Sequence, residues 1–195
     1  MVSKEVSRVL LDLIAAGEGS RITYYLLYLW MLTLRYLQPD DSTRLVELID
    51  NDSIRKNLRT TIPSPYRESD ALDFIHGASP DRGQHVYGIV IDDALIGCIG
   101  LHGQASIYAR SVELGYWIGE SYWGSGYATA AVRLALEKAW VIPDIVRLFA
   151  DVIEYNHASM RVLEKCGFAK EGVARQAAWK DGAMYDEHRY AILKP

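Results

Sequence analysis

The order of apolar and polar residues predicts the first elements of a mixed α and β chain. Residues 32–36 alternate between apolar and polar side chains, which predicts a strand with one buried face. Residues 39–42 have the composition of a helix start, and apolar positions then keep helical spacing to about residue 51. Two prolines interrupt residues 52–75, so we expect two short helical pieces around a loop.

From residue 85 onward the sequence becomes rich in β-branched residues. Residues 85–119 contain three such runs joined by short polar turns, which predicts an antiparallel meander. The elements predicted after it are a helix at 126–140, a strand at 146–153, a helix at about 158–166, and two strands at 168–173 and 185–193 around a turn at 180–182. The fold class is therefore α+β, with a mixed central sheet.

The N-terminal segment has a pattern of its own. Residues 3–16 have the spacing of a short amphipathic helix, which Gly17 and Gly19 end. A length of 195 residues suits one domain of ordinary size. We therefore expect an extension at residues 1–30, dispensable for folding or used to bind a partner, followed by one domain at residues 31–195.

Composition and charge exclude several classes of function. A net charge of −4 argues against a nucleic-acid-binding protein, because phosphate neutralisation needs a basic surface. The apolar run Ile22–Leu34 is too short for a membrane span, which needs about 20 residues. Cys98 and Cys166 form no metal-binding or disulfide pattern, and no export signal is visible, so we expect a cytoplasmic protein without a metal site.

The most informative stretch runs from Trp123 to Ala128, between a predicted strand and a predicted helix. Gly124 and Gly126 allow the backbone to approach a ligand closely, and the following helix presents its first N–H groups to an anion. This combination predicts a phosphate-binding loop. The lysine of an ATP-binding loop is missing and the preceding strands are antiparallel, so neither ATP nor NAD is favoured.

Four segments together resemble the GNAT N-acetyltransferase superfamily, and within it the branch that acetylates the N termini of ribosomal proteins. They are LTLRYL at 32–37, ELGYWIGESYWGSGYAT at 113–129, NHASMRVLEKCGF at 156–168 and WKDGAMYDEHRYAIL at 179–193. The resemblance implies acetyl-CoA as the donor and an amine as the acceptor. It also implies a largely antiparallel sheet, flanked by helices and splayed between the strands at 112–119 and 146–153, with the pantetheine arm lying in the gap.

The same resemblance assigns roles to particular residues. Glu113 corresponds to a general base and Asn156 to a residue that binds the pantetheine arm, while Ser159 is placed to protonate the departing sulfur. A bulge within Trp117–Gly119 is expected to offer free N–H groups to the thioester carbonyl and the pantetheine amides. The residues expected to bind the cosubstrate are Trp117, Ile118, Gly119, Trp123, Gly124, Ser125, Gly126, Tyr127, Ala128, Thr129 and Asn156.

Two departures from the superfamily are visible. Trp123 occupies the place of the usual Gln or Arg of the phosphate loop, and Leu163 occupies the place of a general-acid tyrosine. The second departure is the reason why Ser159 becomes the candidate acid.

The acceptor is left open by the sequence. The branch favours a peptide or protein N terminus, whose amine, with a pKa of about 7.7–8.0, keeps more neutral form near pH 7 than a lysine side chain at about 10.4. A small amine or an antibiotic is the alternative acceptor, and a domain that binds CoA without turnover is the alternative outside enzymes. The oligomeric state is expected to be a monomer or a homodimer.

Overall fold

The computed structural model describes residues 32–78 and 84–195. The extension predicted at residues 1–30, with its amphipathic helix, lies outside these described residues. The strands found within them are β1 (Thr33–Tyr36), β2 (Gln84–Ile91), β3 (Ala94–Gly103), β4 (Ser111–Ile118), β5 (Arg147–Ile153), β6 (Ala169–Lys180) and β7 (Ala183–Leu193). The α-helices are α1 (Ser42–Ile49), α2 (Asp52–Arg55), α3 (Glu68–Gly77), α4 (Tyr127–Trp140) and α5 (His157–Lys165).

The described strands form one sheet in the order β1-β2-β3-β4-β5-β7-β6. Only β4 and β5 pair in parallel, and every other neighbouring pair is antiparallel. The α4 helix makes the crossover between these two strands, as a parallel connection requires. The predicted mixed, largely antiparallel α+β fold is confirmed.

Helices cover the two faces of the sheet with separate cores. One core joins strand residues such as Leu114 and Leu148 to Ala135 of α4 and Leu163 of α5, and we name this side the α4 face. The other core joins alternate strand positions to α1 and α3, and we name this side the α1 face. Because side chains alternate along a strand, consecutive residues of β4 belong to opposite faces.

Sequence reasoning was wrong on the length of β6. The predicted strand ended at residue 173, whereas β6 continues to Lys180. Its register against β7 shifts between Lys170 and Gly172 and again between Ala174 and Ala178, and Gln176 has a positive φ of 48°. These irregularities break the alternation of apolar and polar residues from which a strand is predicted. The turn predicted at residues 180–182 is confirmed.

Among the described helices, none has the length and apolar character that crossing a membrane requires.

Candidate active site

The sheet opens between β4 and β5. These two strands pair only from Ser111 with Arg147 to Glu113 with Phe149. Beyond Glu113, β4 continues to Ile118 on β3 alone, and beyond Phe149, β5 continues to Ile153 on β7 alone. The two strands therefore diverge and leave an open gap in the middle of the sheet, as the resemblance implied.

The polar backbone groups of β4 divide between β3 and the gap. The N–H of Gly119 donates to the carbonyl of Ile96 on β3 at 2.8 Å. Since bonded groups alternate along an antiparallel strand, the N–H groups of Gly115 and Trp117 also point to β3, and those of Tyr116 and Ile118 point to the gap.

The predicted bulge within Trp117–Gly119 is wrong, because β4 pairs with β3 in continuous register from Val112 to Ile118. The bulge lies instead in β3, where Ile96 is the extra residue between the partners of Ile89 and Val90. Of the three predicted backbone donors, only Ile118 faces the gap.

The loop after β4 closes one end of the gap. The indole Nε1 of Trp123 donates to the carbonyl of Ile118 at 2.7 Å, which fixes the loop to the end of β4. Gly124 and Gly126 both have φ of 78°, in the left-handed region that favours glycine. A Cβ at Gly124 would have no neighbour within 4 Å, so the backbone there faces open space.

The α4 helix starts directly at this loop. Gly126 is its N-cap and provides no side-chain cap, so the helix start is open to an outside acceptor. Its first turn consists of Tyr127, Ala128 and Thr129, with Ser125 just before it. A glycine loop on open space, leading into an uncapped helix N terminus, fits a phosphate-bearing group.

On the α1 face, Glu113 stands where the gap begins. Its carboxylate forms an ion pair with the guanidinium of Arg59, which comes from the segment after α2. The side chain of Arg59 is 76% exposed and that of Glu113 is 22% exposed. An exposed arginine of this kind is readily displaced, since exposed ion pairs contribute little stability.

His102 is the neighbour of Glu113 on β3, directly across the strand pair. Its imidazole lies over Gly100, where any Cβ would collide with Nε2 at 2.5 Å. Nδ1 of His102 bonds to Oε1 of Gln84. Burial lowers the pKa of His102 from its usual value, and Arg59 lowers it further, while Glu113 opposes both. The imidazole beside the candidate base is therefore neutral at pH 7.

A second carboxylate faces the same region from the far side of the gap. Burial is the main cause that raises the pKa of Glu187 on β7, and the charge of Asp151 adds to it. Glu113 also raises the pKa, whereas Arg59 lowers it. The α1 side of the gap, here named the recess, thus brings Glu187 near Glu113 and Asp151, which pair with Arg59 and Arg189, the latter at 2.6 Å.

The segment after α2, which carries Arg59, is held by the C-terminal half of the sheet. Nζ of Lys180 on β6 donates to the carbonyl of Arg55 at 3.1 Å and also to that of Leu58. The hydroxyl of Tyr155, in the loop after β5, donates to the carbonyl of Lys56 at 2.6 Å. These contacts tie the segment that carries Arg59 to β6 and to the loop after β5.

Replacing Lys180 by methionine is expected to lower the free energy of unfolding by about 1–3 kcal/mol. Lys180 is only 6% exposed, and its loss leaves two backbone carbonyls without this donor. Lys170→Met makes the same substitution at an exposed position of β6 and should change stability by less than about 0.5 kcal/mol. Urea denaturation checks both values, and equal effects of the two variants would contradict the anchoring role.

On the α4 face, Ser159 lies in the first turn of α5. Oδ1 of Asn156 accepts from the backbone N–H of Ser159 at 3.2 Å and so caps the helix. Oη of Tyr116, on β4, lies 2.9 Å from Oγ of Ser159. Glu113 and Ser159 therefore approach the gap from opposite faces of the sheet.

Neither cysteine suits nucleophilic catalysis. Burial raises the pKa of the Cys98 thiol, which is 2% exposed in the core of the α1 face. Burial is also the main cause that raises the pKa of Cys166, whose Sγ donates to the carbonyl of Thr129 at 3.5 Å.

Sequence reasoning missed His102, Arg59 and Glu187 as members of the recess. His102 lies opposite Glu113 because of the β3–β4 register. A register prediction for that hairpin could therefore have identified His102 from the sequence. No local signal marks Arg59 or Glu187, which come from a loop and from the last strand.

Comparisons with known proteins agree with this arrangement. A family model described as "Acetyltransferase (GNAT) domain" matches residues 31–169. The Bacillus subtilis protein named "Putative ribosomal N-acetyltransferase YdaF" is 31% identical over 169 residues, which cover 84% of this chain and 91% of that protein. Spermidine N(1)-acetyltransferase from Vibrio cholerae is 26% identical over 166 residues, which cover 84% of this chain and 93% of that protein.

A solved structure has the same fold at lower sequence identity. The ribosomal L7/L12 alpha-N-protein acetyltransferase RimL, in complex with coenzyme A, matches with a TM-score of 0.76 at 22% identity, over 84% of this chain and 94% of that one.

Proposed function

Because this chain belongs to the GNAT acetyltransferase family, we propose that it acetylates the primary amine at the N terminus of a peptide or protein. The reaction is an acetyl-CoA-dependent N-acyl transfer, the activity of the family. Bound acetyl-CoA supplies the activated acetyl thioester. The observation that carries the proposal is the gap between β4 and β5, with a carboxylate on one face and a hydroxyl on the other.

On the α1 face, the proposed role of Glu113 is to take the proton of the acceptor ammonium. A cationic acceptor takes the place of the exposed Arg59 guanidinium beside the Glu113 carboxylate. The Glu113 carboxylate then accepts the proton, directly or through a water molecule, and the neutral amine attacks from this side. The neutral His102 beside it leaves the negative charge of the base intact.

On the other side of the gap, the cosubstrate is proposed to lie against β4 with its phosphates at the loop of residues 123–126. The first-turn N–H groups of α4 bind the pyrophosphate, with Ser125 and Thr129 beside them. The N–H groups of Tyr116 and Ile118 are the backbone donors of β4 that face the gap. The side-chain amide of Asn156 is proposed to bind the pantetheine arm, in addition to capping α5.

Ser159 is proposed to protonate the thiolate that leaves when the carbon–sulfur bond breaks. Its Oγ gives its proton to sulfur and regains one from solvent. The proton on Glu113 and the second proton of the amine nitrogen, lost as the amide forms, pass to solvent, so one proton is released net in each turnover. The loss of Ser159 is expected to slow this step, because thiolate protonation contributes only as the bond breaks.

The peptide N terminus is favoured as acceptor by two considerations. The relative from Bacillus subtilis that matches most of both chains carries a ribosomal N-acetyltransferase name. An N-terminal amine also demands less of the base than a lysine, since its ordinary pKa is about 7.7–8.0 and not about 10.4.

A polyamine is the second candidate acceptor. Once Arg59 is displaced, the carboxylates of Glu113 and Glu187 favour a substrate with more than one positive charge, while Asp151 stays paired with Arg189. The spermidine N(1)-acetyltransferase relative at 26% identity has such a substrate by name.

The test is an acetyl-CoA turnover screen read by release of free thiol. The acceptors are a peptide with a free N terminus, the same peptide with a blocked N terminus and one lysine, spermidine, and an aminoglycoside. We expect turnover with the free peptide and little with the blocked one. Turnover confined to spermidine would contradict the peptide N terminus as acceptor and support a polyamine instead. Binding of acetyl-CoA without turnover of any amine would indicate a CoA-binding domain without transferase activity.

A further inference from the structure

Two hydroxyl groups meet where β4 passes the start of α5. Oη of Tyr116 lies 2.9 Å from Oγ of Ser159 and 3.3 Å from the backbone carbonyl oxygen of the same residue. The ring of Tyr116 is partly buried against the core of the α4 face. The contact joins the strand that borders the gap to the helix that carries the proposed acid.

The hydrogens of this pair can be arranged in two ways. If Ser159 donates to Tyr116, its hydrogen points away from the gap while Tyr116 donates to the backbone carbonyl. If Tyr116 donates to Oγ, the Ser159 hydrogen is released toward the gap. Only the second arrangement leaves Ser159 able to serve as an acid.

A serine hydroxyl is a weak acid, so charge develops on Oγ as its proton moves to sulfur. A hydrogen bond donated to a charged oxygen is about twice as strong as one between neutral groups. Burial raises the pKa of Tyr116, so the phenol keeps its hydrogen over the working pH range. Tyr116 therefore keeps a hydrogen that it can donate to Ser159 Oγ, which lies 2.9 Å away.

We propose that Tyr116 is a positioning residue for acetyl transfer, which donates to Ser159 Oγ and directs the serine hydrogen at the departing thiolate. The proposal rests on the function proposed above. In the step, the carbon–sulfur bond breaks, the Ser159 proton moves to sulfur, and the Tyr116 hydrogen bond stabilises the charge left on Oγ. A solvent proton then restores the serine hydroxyl.

The full chain offers a matched control in Tyr190. This residue is 3% exposed, and its hydroxyl also bonds α5, but at Oε1 of Glu164 on the other end of the helix, 3.0 Å away. Tyr116→Phe and Tyr190→Phe therefore each remove one tyrosine hydroxyl that binds α5. Each substitution leaves its ring in place, so both variants are expected to keep the fold, which thermal melting checks.

The test is a double-mutant cycle on the steady-state kinetics of acetyl transfer. Ser159→Ala is expected to lower kcat by about 10-fold to 100-fold, at or below the usual contribution of proton transfer. Tyr116→Phe should lower kcat about 10-fold with the KM for acetyl-CoA unchanged, and Tyr190→Phe should leave kcat unchanged. Tyr116→Phe should add no further loss in the Ser159→Ala background, because it acts through Oγ.

The pH profile gives a readout that a merely structural role would not move. A thiolate with an ordinary pKa of about 8.5 leaves without help at higher pH, so the Tyr116→Phe loss should fade above that value. Additive losses in the cycle, or a loss independent of pH, would overturn the proposal. So would a normal Tyr116→Phe variant beside an impaired Ser159→Ala variant.

Failure of the proposed function and failure of the proposed acid give different results. If the wild-type protein turns over no amine, the proposed function itself is wrong. An active protein in which Ser159→Ala has no effect removes the proposed acid, and the role of Tyr116 with it.

Discussion

Replacing Gly126 by glutamate is expected to weaken acetyl-CoA binding by at least about 100-fold, equivalent to about 2.7 kcal/mol. Gly126 has φ of 78° and is the N-cap of α4, so any side chain there is strained. The glutamate also puts a negative charge where the helix start is proposed to bind the pyrophosphate. Titration calorimetry with acetyl-CoA measures the effect, and circular dichroism checks that the fold is kept.

Gly182→Glu is the matched control for this variant. Gly182 also has a positive φ, of 82°, and a Cβ there meets nothing within 4 Å, but it lies in the turn between β6 and β7. It introduces the same strain and the same charge away from the loop, so binding should be unchanged. Gly126→Ala separates strain from charge and should cost only a fewfold in affinity. An unchanged affinity in Gly126→Glu would refute the assignment of the loop to phosphate binding.

Replacing Glu113 by glutamine is expected to lower kcat/KM about 100-fold near pH 6.5 and only a fewfold near pH 9. At low pH most of the acceptor amine is protonated and needs the Glu113 carboxylate to become a nucleophile. At high pH the solvent has already removed this proton, so the base contributes less. The measurement is kcat/KM for the accepted amine from pH 6 to pH 9.5.

The control for Glu113→Gln is Glu171→Gln. Glu171 on β6 also pairs with an arginine, Arg147, at 2.6 Å and 2.5 Å. Arg147 lies at the end of β5 that is paired with β4, away from the part where these strands diverge. Loss of that ion pair should leave kcat/KM unchanged at every pH. If Glu113→Gln instead shows the same loss at all pH values, the carboxylate positions the acceptor and another group is the base.

The order of secondary-structure elements followed from the sequence because each element has a local cause. The alternation in residues 32–36 matches β1, and the apolar spacing in residues 126–140 matches α4, which begins just after its glycine. The loop glycines were also predictable, since a positive φ is a local requirement. The length of β6 was not predictable, because its two register shifts depend on its pairing with β7 and remove the alternation of apolar and polar residues.

The position of the bulge shows the limit of local reasoning at the site. The family resemblance implied a bulge within Trp117–Gly119, yet β4 stays regular on β3, and the extra residue Ile96 belongs to the β2–β3 pair. Which strand has the extra residue depends on how three neighbouring strands fit together. The continuous β3–β4 register turns the N–H of Ile118, and not that of Trp117 or Gly119, to the gap.

The sequence by itself determined that the chain has a glycine loop before a helix, a carboxylate at Glu113 and a hydroxyl at Ser159, because these are properties of residue type and local spacing. Only the tertiary structure decided what those residues meet. Arg59 and Glu113 are 54 positions apart, and Tyr116 and Ser159 are 43 apart. Contacts over such separations arise from sheet order and register, which bring β4, α5 and the segment after α2 to one gap, and no local pattern encodes them.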